Sequence, residues 1–91
     1  NGTQIVIMTQ KDEGYTPETT YIAENLPIRW EITSTSPFSC AAYIRSPEMN
    51  VRINLKAGKN VINVPPLKNG TWQFTCVMGM YNGKLVAVKP S

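Results

Sequence analysis

Short runs in which apolar and polar residues alternate follow one another along the chain, with turn residues between them. The clearest is the stretch from Pro27 to Thr33, in which every second residue is apolar: Ile28, Trp30 and Ile32. Successive side chains of a strand point to opposite faces, so this period of two residues indicates one face in a core and the other in water. The stretch is therefore predicted to be a half-buried strand.

The same pattern predicts strands at residues 4–10, 19–23, 41–44, 49–55, 61–64, 70–74 and 84–89, with the second of these at a sheet edge. Turns are expected at residues 11–14, at residues 57–60 and at Asn82-Gly83, because Asn-Gly is a strong tight-turn signal. No window has a helical period. Seven or eight short strands are typical of an antiparallel all-β sandwich or barrel. Its expected core residues are Trp30, Ile32, Val51, Ile53, Trp72, Phe74 and Val86.

Length and charge limit the classes of protein that fit. Ninety-one residues make one small domain, residues 1–91, and the chain does not begin with Met, so we expect a domain cut from a longer protein. Nine basic and six acidic residues give a net charge of +3, but the basic residues form no run, so no nucleic-acid partner is expected. No apolar run is long enough for a membrane span, so we expect no direct membrane insertion by this segment.

The absence of histidine from the sequence removes several kinds of chemistry at once. Histidine is the usual general base, a usual zinc ligand and the base of Ser-His-Asp and Cys-His catalytic arrangements. A cysteine without such a partner is a poor nucleophile. We therefore expect that this protein is not an enzyme.

A sulfur-rich segment, Cys76-Val77-Met78-Gly79-Met80, connects the last two predicted strands. Thiolates and thioethers are soft donors, which favour Cu(I) over hard cations, although methionine is also a common filler of apolar gaps. Gly79 is expected to turn the loop with a positive φ. The other cysteine, Cys40, allows a disulfide, a shared metal site or free thiols, and the number of cysteines does not choose between them.

Five segments of the chain are similar to segments of a known protein family. They are Tyr15-Thr16-Pro17, Leu26-Pro27-Ile28-Arg29-Trp30, the turn segment from Asn54 to Asn60, the strand from Gly70 to Cys76 and the closing strand from Asn82 to Val88. With them, the chain resembles the cupredoxins over nearly its whole length. The resemblance implies a cupredoxin-like Greek-key sandwich or barrel.

Within that family, the Cys-x-Met-Gly-Met loop and the upstream Cys40 resemble a histidine-free branch fused to bacterial membrane transport proteins for copper and other heavy metals. The resemblance implies a metal site of Cys40, Cys76, Met78 and Met80 that holds Cu(I), or Ag(I), as one ion or a bridged pair. Cys76 would be the anchor. Pro37 and Phe38 would form an apolar wall, unless Phe38 only closes the core.

The resemblance also implies a role in copper or heavy-metal trafficking. The expected partners are the metal ion and either the transporter portion of the same chain or a copper chaperone. The expected location is extracytoplasmic, periplasmic or at the cell surface, as a soluble domain of a membrane protein.

Other interpretations of the same residues remain open. One is a metal-free interaction domain with a Cys40–Cys76 disulfide, which oxidising compartments favour. Another is two unrelated buried thiols. A third is an electron-transfer copper protein, but the blue copper site uses two imidazoles, and this sequence has only Cys40, Met78 and Met80 at the corresponding positions.

Overall fold

The computed structural model describes residues 2–90, which contain nine strands and one short 3-10 helix. The strands are β1 (Gln4–Lys11), β2 (Gly14–Thr16), β3 (Thr19–Ala23), β4 (Ile28–Ser34), β5 (Tyr43–Ser46), β6 (Val51–Asn54), β7 (Gly58–Val64), β8 (Gly70–Cys76) and β9 (Asn82–Val88). The 3-10 helix, Cys40–Ala42, lies between β4 and β5. No helix within residues 2–90 has the length and apolar character needed to cross a membrane.

The strands form two sheets that enclose one core. One sheet has the order β2-β1-β4-β7 and the other has the order β3-β9-β8-β5-β6. The prediction of an all-β fold is confirmed, and β3 is an edge strand as expected. Both sheets are mixed, however, because β1 pairs with β4 in parallel and β3 pairs with β9 in parallel. Among the described residues, the strand beyond the predicted seven or eight is β2, which the sequence analysis did not identify.

The core is built around aromatic rings contributed by both sheets. Trp30 on β4 and Phe74 on β8 are buried, and their rings meet edge to face with centroids 4.9 Å apart. Tyr15 on β2 also meets Phe74 edge to face, at a centroid distance of 5.2 Å. A Cβ atom at Gly83 on β9 would lie 2.2 Å from Cζ of Phe74, so only glycine leaves room for the ring. These contacts fix β8, the strand that ends at Cys76.

The predicted core is largely correct. Trp30, Ile32, Val51 and Phe74 are buried, while Ile53 and Trp72 are partly buried against the same cluster. The prediction for Val86 is wrong, because its neighbours Leu85 and Ala87 face the core instead. The reason is that Gly83 packs under Phe74, which places alternate residues of β9, counted from Gly83, on the inner face.

Two predicted turns are parts of strands. Asn82-Gly83 begins β9 and pairs with Thr75 and Phe74, and the actual loop lies before it, at residues 77–81. Residues 58–60 belong to β7 and pair with β4, so only the start of the predicted turn at 57–60 is correct. Likewise, the strand predicted at residues 41–44 begins as the 3-10 helix and becomes extended only at Tyr43.

Candidate metal centre

Cys40 is the first residue of the 3-10 helix, and Ser39 caps that helix. The Ser39 hydroxyl accepts a hydrogen bond from the Ala41 amide at 3.1 Å and donates one to the Asp12 carbonyl at 2.6 Å. Serine is a favourable cap because its side-chain oxygen pairs with an amide that the helix leaves free. The bond to Asp12 ties the helix to the β1–β2 turn, so the position of Cys40 depends on the opposite sheet.

The loop that leads to Cys40 is fixed by a buried amide. Gln10 on β1 is fully buried, and its side chain accepts a hydrogen bond from the Ser34 hydroxyl. The same amide donates to the Ser36 carbonyl at 2.9 Å. A buried polar group is stable only when its hydrogen bonds are made, so this network determines the path of the chain between β4 and the helix.

Cys76 is the last residue of β8, where it pairs with Ile44 on β5. The loop from 77 to 81 closes immediately after it, because the Cys76 amide donates to the Tyr81 carbonyl at 3.0 Å and the Gly79 amide donates to the Cys76 carbonyl at 2.8 Å. Gly79 has a φ of 74°, which confirms the expected positive φ. A tight turn thus joins the strand directly to the methionines.

The structure brings the two cysteines into contact. Both thiols are free, and their Sγ atoms lie 3.0 Å apart. A disulfide bond is about 2.0 Å long, whereas two thiolates on one tetrahedral ion are about 3.8 Å apart when each metal–sulfur bond is about 2.3 Å. Because the observed separation lies between these values, modest side-chain rotations give access to either arrangement.

The two thiols differ in their surroundings. Burial raises the pKa of Cys76, but hydrogen bonds from the Cys40 thiol and from the amides of Tyr81, Met80 and Met78 outweigh it, so the net pKa is lowered. The Met80 amide lies 3.2 Å from Cys76 Sγ. The pKa of Cys40 is raised, mainly because its thiol donates a hydrogen bond to the Cys76 sulfur and also because of burial. The Cys40 thiol therefore donates a hydrogen bond to the Cys76 sulfur, and these opposite pKa shifts make Cys76 the first of the two to lose its proton as pH rises.

The methionines lie on the outer surface of the same loop. Met78 is 71% exposed and Met80 is 63% exposed, in contrast to the fully buried Cys76. Phe38 is also fully exposed, so the expectation that it closes the core is wrong, and a ring fully surrounded by water does not wall off the site.

Tyr15 is a residue of this centre whose role the sequence analysis missed. Its hydroxyl donates a 2.8 Å hydrogen bond to the carbonyl of Ala41, beside Cys40. Burial, followed by the charges of Cys76 and Cys40, raises the pKa of Tyr15 above its usual range. The Tyr-x-Pro segment pointed only to a family, because nothing in the sequence shows where a tyrosine hydroxyl will lie.

Few types of metal-binding side chain are available near Cys40 and Cys76. Within residues 2–90, no three side chains of His, Cys, Asp or Glu come together as a metal site. Any third protein ligand at Cys40 and Cys76 would therefore come from another residue type, and the thioethers of Met78 and Met80 are on the adjoining loop. A set of sulfur donors alone fits Cu(I) and does not fit the two imidazoles of a blue copper site.

The sequence also matches a known family. A family profile described as "Cupredoxin-like domain" matches residues 1–87. The chain belongs to the cupredoxin-like domain family. No curated protein matches the sequence.

Solved structures agree with this assignment to the cupredoxin-like family. The metal-binding domain of the Cu(I)-exporting P-type ATPase CopA from Streptococcus pneumoniae D39, solved with Cu(I), has a TM-score of 0.86 and 23% identity, over 98% of this chain and 89% of that chain. A copper-binding protein solved in the apo form has a TM-score of 0.86 and 30% identity, over 97% and 90% of the two chains. Auracyanin A, a "blue" copper protein from Chloroflexus aurantiacus, has a TM-score of 0.67 and 12% identity, over 96% and 100%.

Proposed function

We propose that this cupredoxin-like domain binds Cu(I) through the thiolates of Cys40 and Cys76, with thioether ligation by Met80 and Met78, and takes part in copper trafficking. The observation that carries the proposal is the 3.0 Å contact between the two thiols beside a loop with two exposed methionines. The similarity to a copper-binding protein, at 30% identity over 97% of this chain, supports copper binding. Ag(I) is also a soft ion and is expected to bind in the same way.

The surroundings of the thiols favour a soft monovalent ion. Cu(I) with two thiolates carries a net charge of −1, and the amide of Met80 is directed at the Cys76 sulfur, where it stabilises negative charge. The buried position of Cys76 limits access of water on one side, and the exposed methionines leave the other side open. This arrangement suits an ion that must be held and then passed on.

Anaerobic loading with Cu(I), in competition with a Cu(I) chelator, tests the proposal. The wild-type domain is expected to retain copper against the chelator, as one ion or as a bridged pair, and the copper-to-protein ratio decides between these. Cys76→Ser is expected to abolish retention, because it removes the ligand that ends a rigid strand. Cys40→Ser is expected to weaken retention strongly, because one thiolate remains.

Ser46→Ala is a suitable control for these variants. Ser46 is a buried hydroxyl at the far end of β5 that donates to the Gln73 carbonyl at 2.7 Å, so its loss affects stability without removing a sulfur donor. Copper retention is expected to be unchanged in this variant. Equal copper retention by wild type, Cys40→Ser and Cys76→Ser would overturn the assignment of the site.

The same contact supports a second candidate, a metal-free domain closed by a Cys40–Cys76 disulfide. The thiols are free and 3.0 Å apart, so oxidation needs little movement. Thiol counting on protein isolated without reductant separates the candidates. Two reactive thiols per chain and copper retention support the copper site, whereas no reactive thiols and no retention after reduction support the disulfide.

We also propose that the domain acts on the extracytoplasmic side of a membrane, as part of a metal transporter or in contact with a transporter or copper chaperone. The fold likeness to a domain of a Cu(I) exporter supports a transport context. Disulfides persist in oxidising compartments, so the second candidate, a Cys40–Cys76 disulfide, is consistent with the same placement. Topology mapping of the full-length protein is the test, and a cytoplasmic location would refute the placement.

A further inference from the structure

Tyr15 connects the two cysteine-bearing segments, although it belongs to the other sheet. Its strand, β2, is in the four-stranded sheet, whereas β8, which ends at Cys76, is in the five-stranded sheet. The 3-10 helix that begins at Cys40 leads into β5 of that same sheet. Tyr15 therefore reaches across the sandwich to the end where the two thiols meet.

One contact of Tyr15 is with the Cys40 segment. The hydroxyl donates to the carbonyl of Ala41 at 2.8 Å, and both residues are buried, so water cannot easily replace this bond. A second hydrogen bond also joins the 3-10 helix to the β1–β2 turn, from the Ser39 hydroxyl to the Asp12 carbonyl, and it is exposed to solvent. Of these two hydrogen bonds, the one from Tyr15 to Ala41 is protected from solvent.

The other contact of Tyr15 is with the Cys76 segment. Its ring meets the ring of Phe74 edge to face, with centroids 5.2 Å apart and an interplanar angle of 63°. Phe74 and Cys76 are two residues apart on β8 and both are buried, so they share the inner face of the strand. A shift of Tyr15 would therefore be felt on both sides of the thiol contact.

We propose that Tyr15 is a positioning residue that holds the Cys40 and Cys76 thiols at their contact distance before any metal or oxidant arrives. It acts through Ala41 and Phe74 and touches neither the metal nor the reacting sulfur atoms. When its hydroxyl is lost, the buried Ala41 carbonyl loses its donor, and an unpaired buried acceptor is costly. The helix then shifts to find a new donor, and Cys40 moves away from Cys76.

The test measures, without copper, the effective concentration of one thiol relative to the other. This quantity is obtained from the equilibrium of disulfide exchange with glutathione. The reduced domain is equilibrated with glutathione disulfide, so that two protein thiols become one disulfide while one glutathione disulfide becomes two glutathione thiols. Tyr15→Phe keeps the ring and removes the hydroxyl, and it is expected to lower the effective concentration by about fivefold, the size expected when one buried hydrogen bond is lost. Tyr21→Phe, which removes the hydroxyl of an exposed tyrosine, is the matched control and is expected to change nothing.

A second control separates positioning from general loss of stability. Ile22→Val removes one methyl group from a buried residue of the edge strand β3, and the free energy of unfolding of each variant is measured in urea. An effective concentration in Tyr15→Phe equal to that of the wild type, or lowered no more than in Ile22→Val, would overturn the inference. If Tyr15→Phe folds poorly, the comparison is repeated in trimethylamine N-oxide, which strengthens folded states.

The copper measurement is a separate arm that rests on the proposed function. If the domain binds Cu(I), its affinity in Tyr15→Phe is expected to fall by a factor similar to that of the effective concentration. If the wild type retains no copper, the proposed function fails, and the glutathione measurement still decides the role of Tyr15. If copper affinity is unchanged while the effective concentration falls, Tyr15 positions the thiols for oxidation alone, and its role in metal binding is refuted.

Discussion

The cysteine pair and the methionine loop adjoin one another at Cys76 but are held in opposite ways. Cys76 is fully buried at the end of a paired strand, and Cys40 begins a helix that Ser39 and Tyr15 tie to the other sheet. Met78 and Met80 are 71% and 63% exposed on a loop whose backbone is closed mainly by local hydrogen bonds, with one bond from the Val77 amide to the Tyr43 carbonyl. The thiols are thus set in place by the core, whereas the thioethers are free to adapt.

This difference suggests a division of work between the two kinds of sulfur. Rigid groups bind well because little conformational freedom is lost on binding. Unbranched methionine side chains rearrange easily, so they suit a ligand that must let go. In the proposed function, the cysteines would provide the hold on Cu(I), and the methionines would be the first groups to meet an incoming ion and the last to release it.

The largest expected effect concerns the core beneath the cysteine pair. Phe74→Ala removes a buried ring that contacts both Trp30 and Tyr15, and it is expected to lower the free energy of unfolding by about 3–5 kcal/mol. Met78→Ala and Met80→Ala remove exposed side chains and are expected to change it by no more than about 0.5 kcal/mol. Urea unfolding under reducing conditions measures all of them. Comparable losses at Phe74 and at Met78 would refute the contrast between a fixed and a free region.

A smaller effect is expected from the methionines on copper itself. The double variant Met78→Leu, Met80→Leu keeps the apolar character of the loop and removes both thioethers. Its Cu(I) affinity is expected to fall by about tenfold, equivalent to roughly 1.4 kcal/mol, while its stability to urea stays at the wild-type value. Chelator competition measures the affinity. Met8→Leu, at a buried methionine on β1, is the control and is expected to leave the affinity unchanged.

The sequence predicted the architecture better than the site. The alternation around Trp30 and Ile32 identified β4 and its inner face, because a strand pattern of this kind depends only on local spacing. The turn predicted at Asn82-Gly83 was wrong. The glycine is explained by the space that the ring of Phe74 needs, and not by a turn. That requirement comes from a residue on another strand, so no local pattern reveals it.

The site was predicted only in its residue types. Cys40 and Cys76 were paired through the resemblance, and the structure places their sulfur atoms in contact, but it does not test whether they bind metal. The roles of Ser39 and Tyr15 could not be predicted, because both act through hydrogen bonds to backbone carbonyls far away in sequence, at Asp12 and Ala41. Bonds to the backbone leave no signature in residue identity.

The smallest effect is a pH dependence that belongs to the cysteine pair alone. In the folded domain the pKa of Cys76 is lowered, because the Cys40 thiol and the loop amides outweigh its burial. The pKa of Cys40 is raised, mainly because its thiol donates a hydrogen bond to the Cys76 sulfur. In the unfolded chain both thiols return to a pKa of about 8.5.

These shifts have opposite signs and predict a maximum of stability rather than a slope. Between the lowered pKa of Cys76 and the ordinary value, the unfolded chain binds more protons, so the stability contributed by Cys76 rises with pH and is lost as pH falls. Above the ordinary value, the folded domain keeps the proton on Cys40 that the unfolded chain has lost, so stability falls as pH rises towards the raised pKa.

The difference in unfolding free energy between wild type and the double variant Cys40→Ser, Cys76→Ser isolates this contribution, because the other ionisable groups are common to both proteins. Measured in urea with a reductant from pH 6 to 10, that difference is expected to peak near the ordinary thiol pKa of about 8.5. A hydrogen bond that lowers the pKa of one thiol and raises that of the other requires such a peak in the difference. A difference that is flat, or that changes in one direction only across this range, would contradict opposite pKa shifts at Cys40 and Cys76.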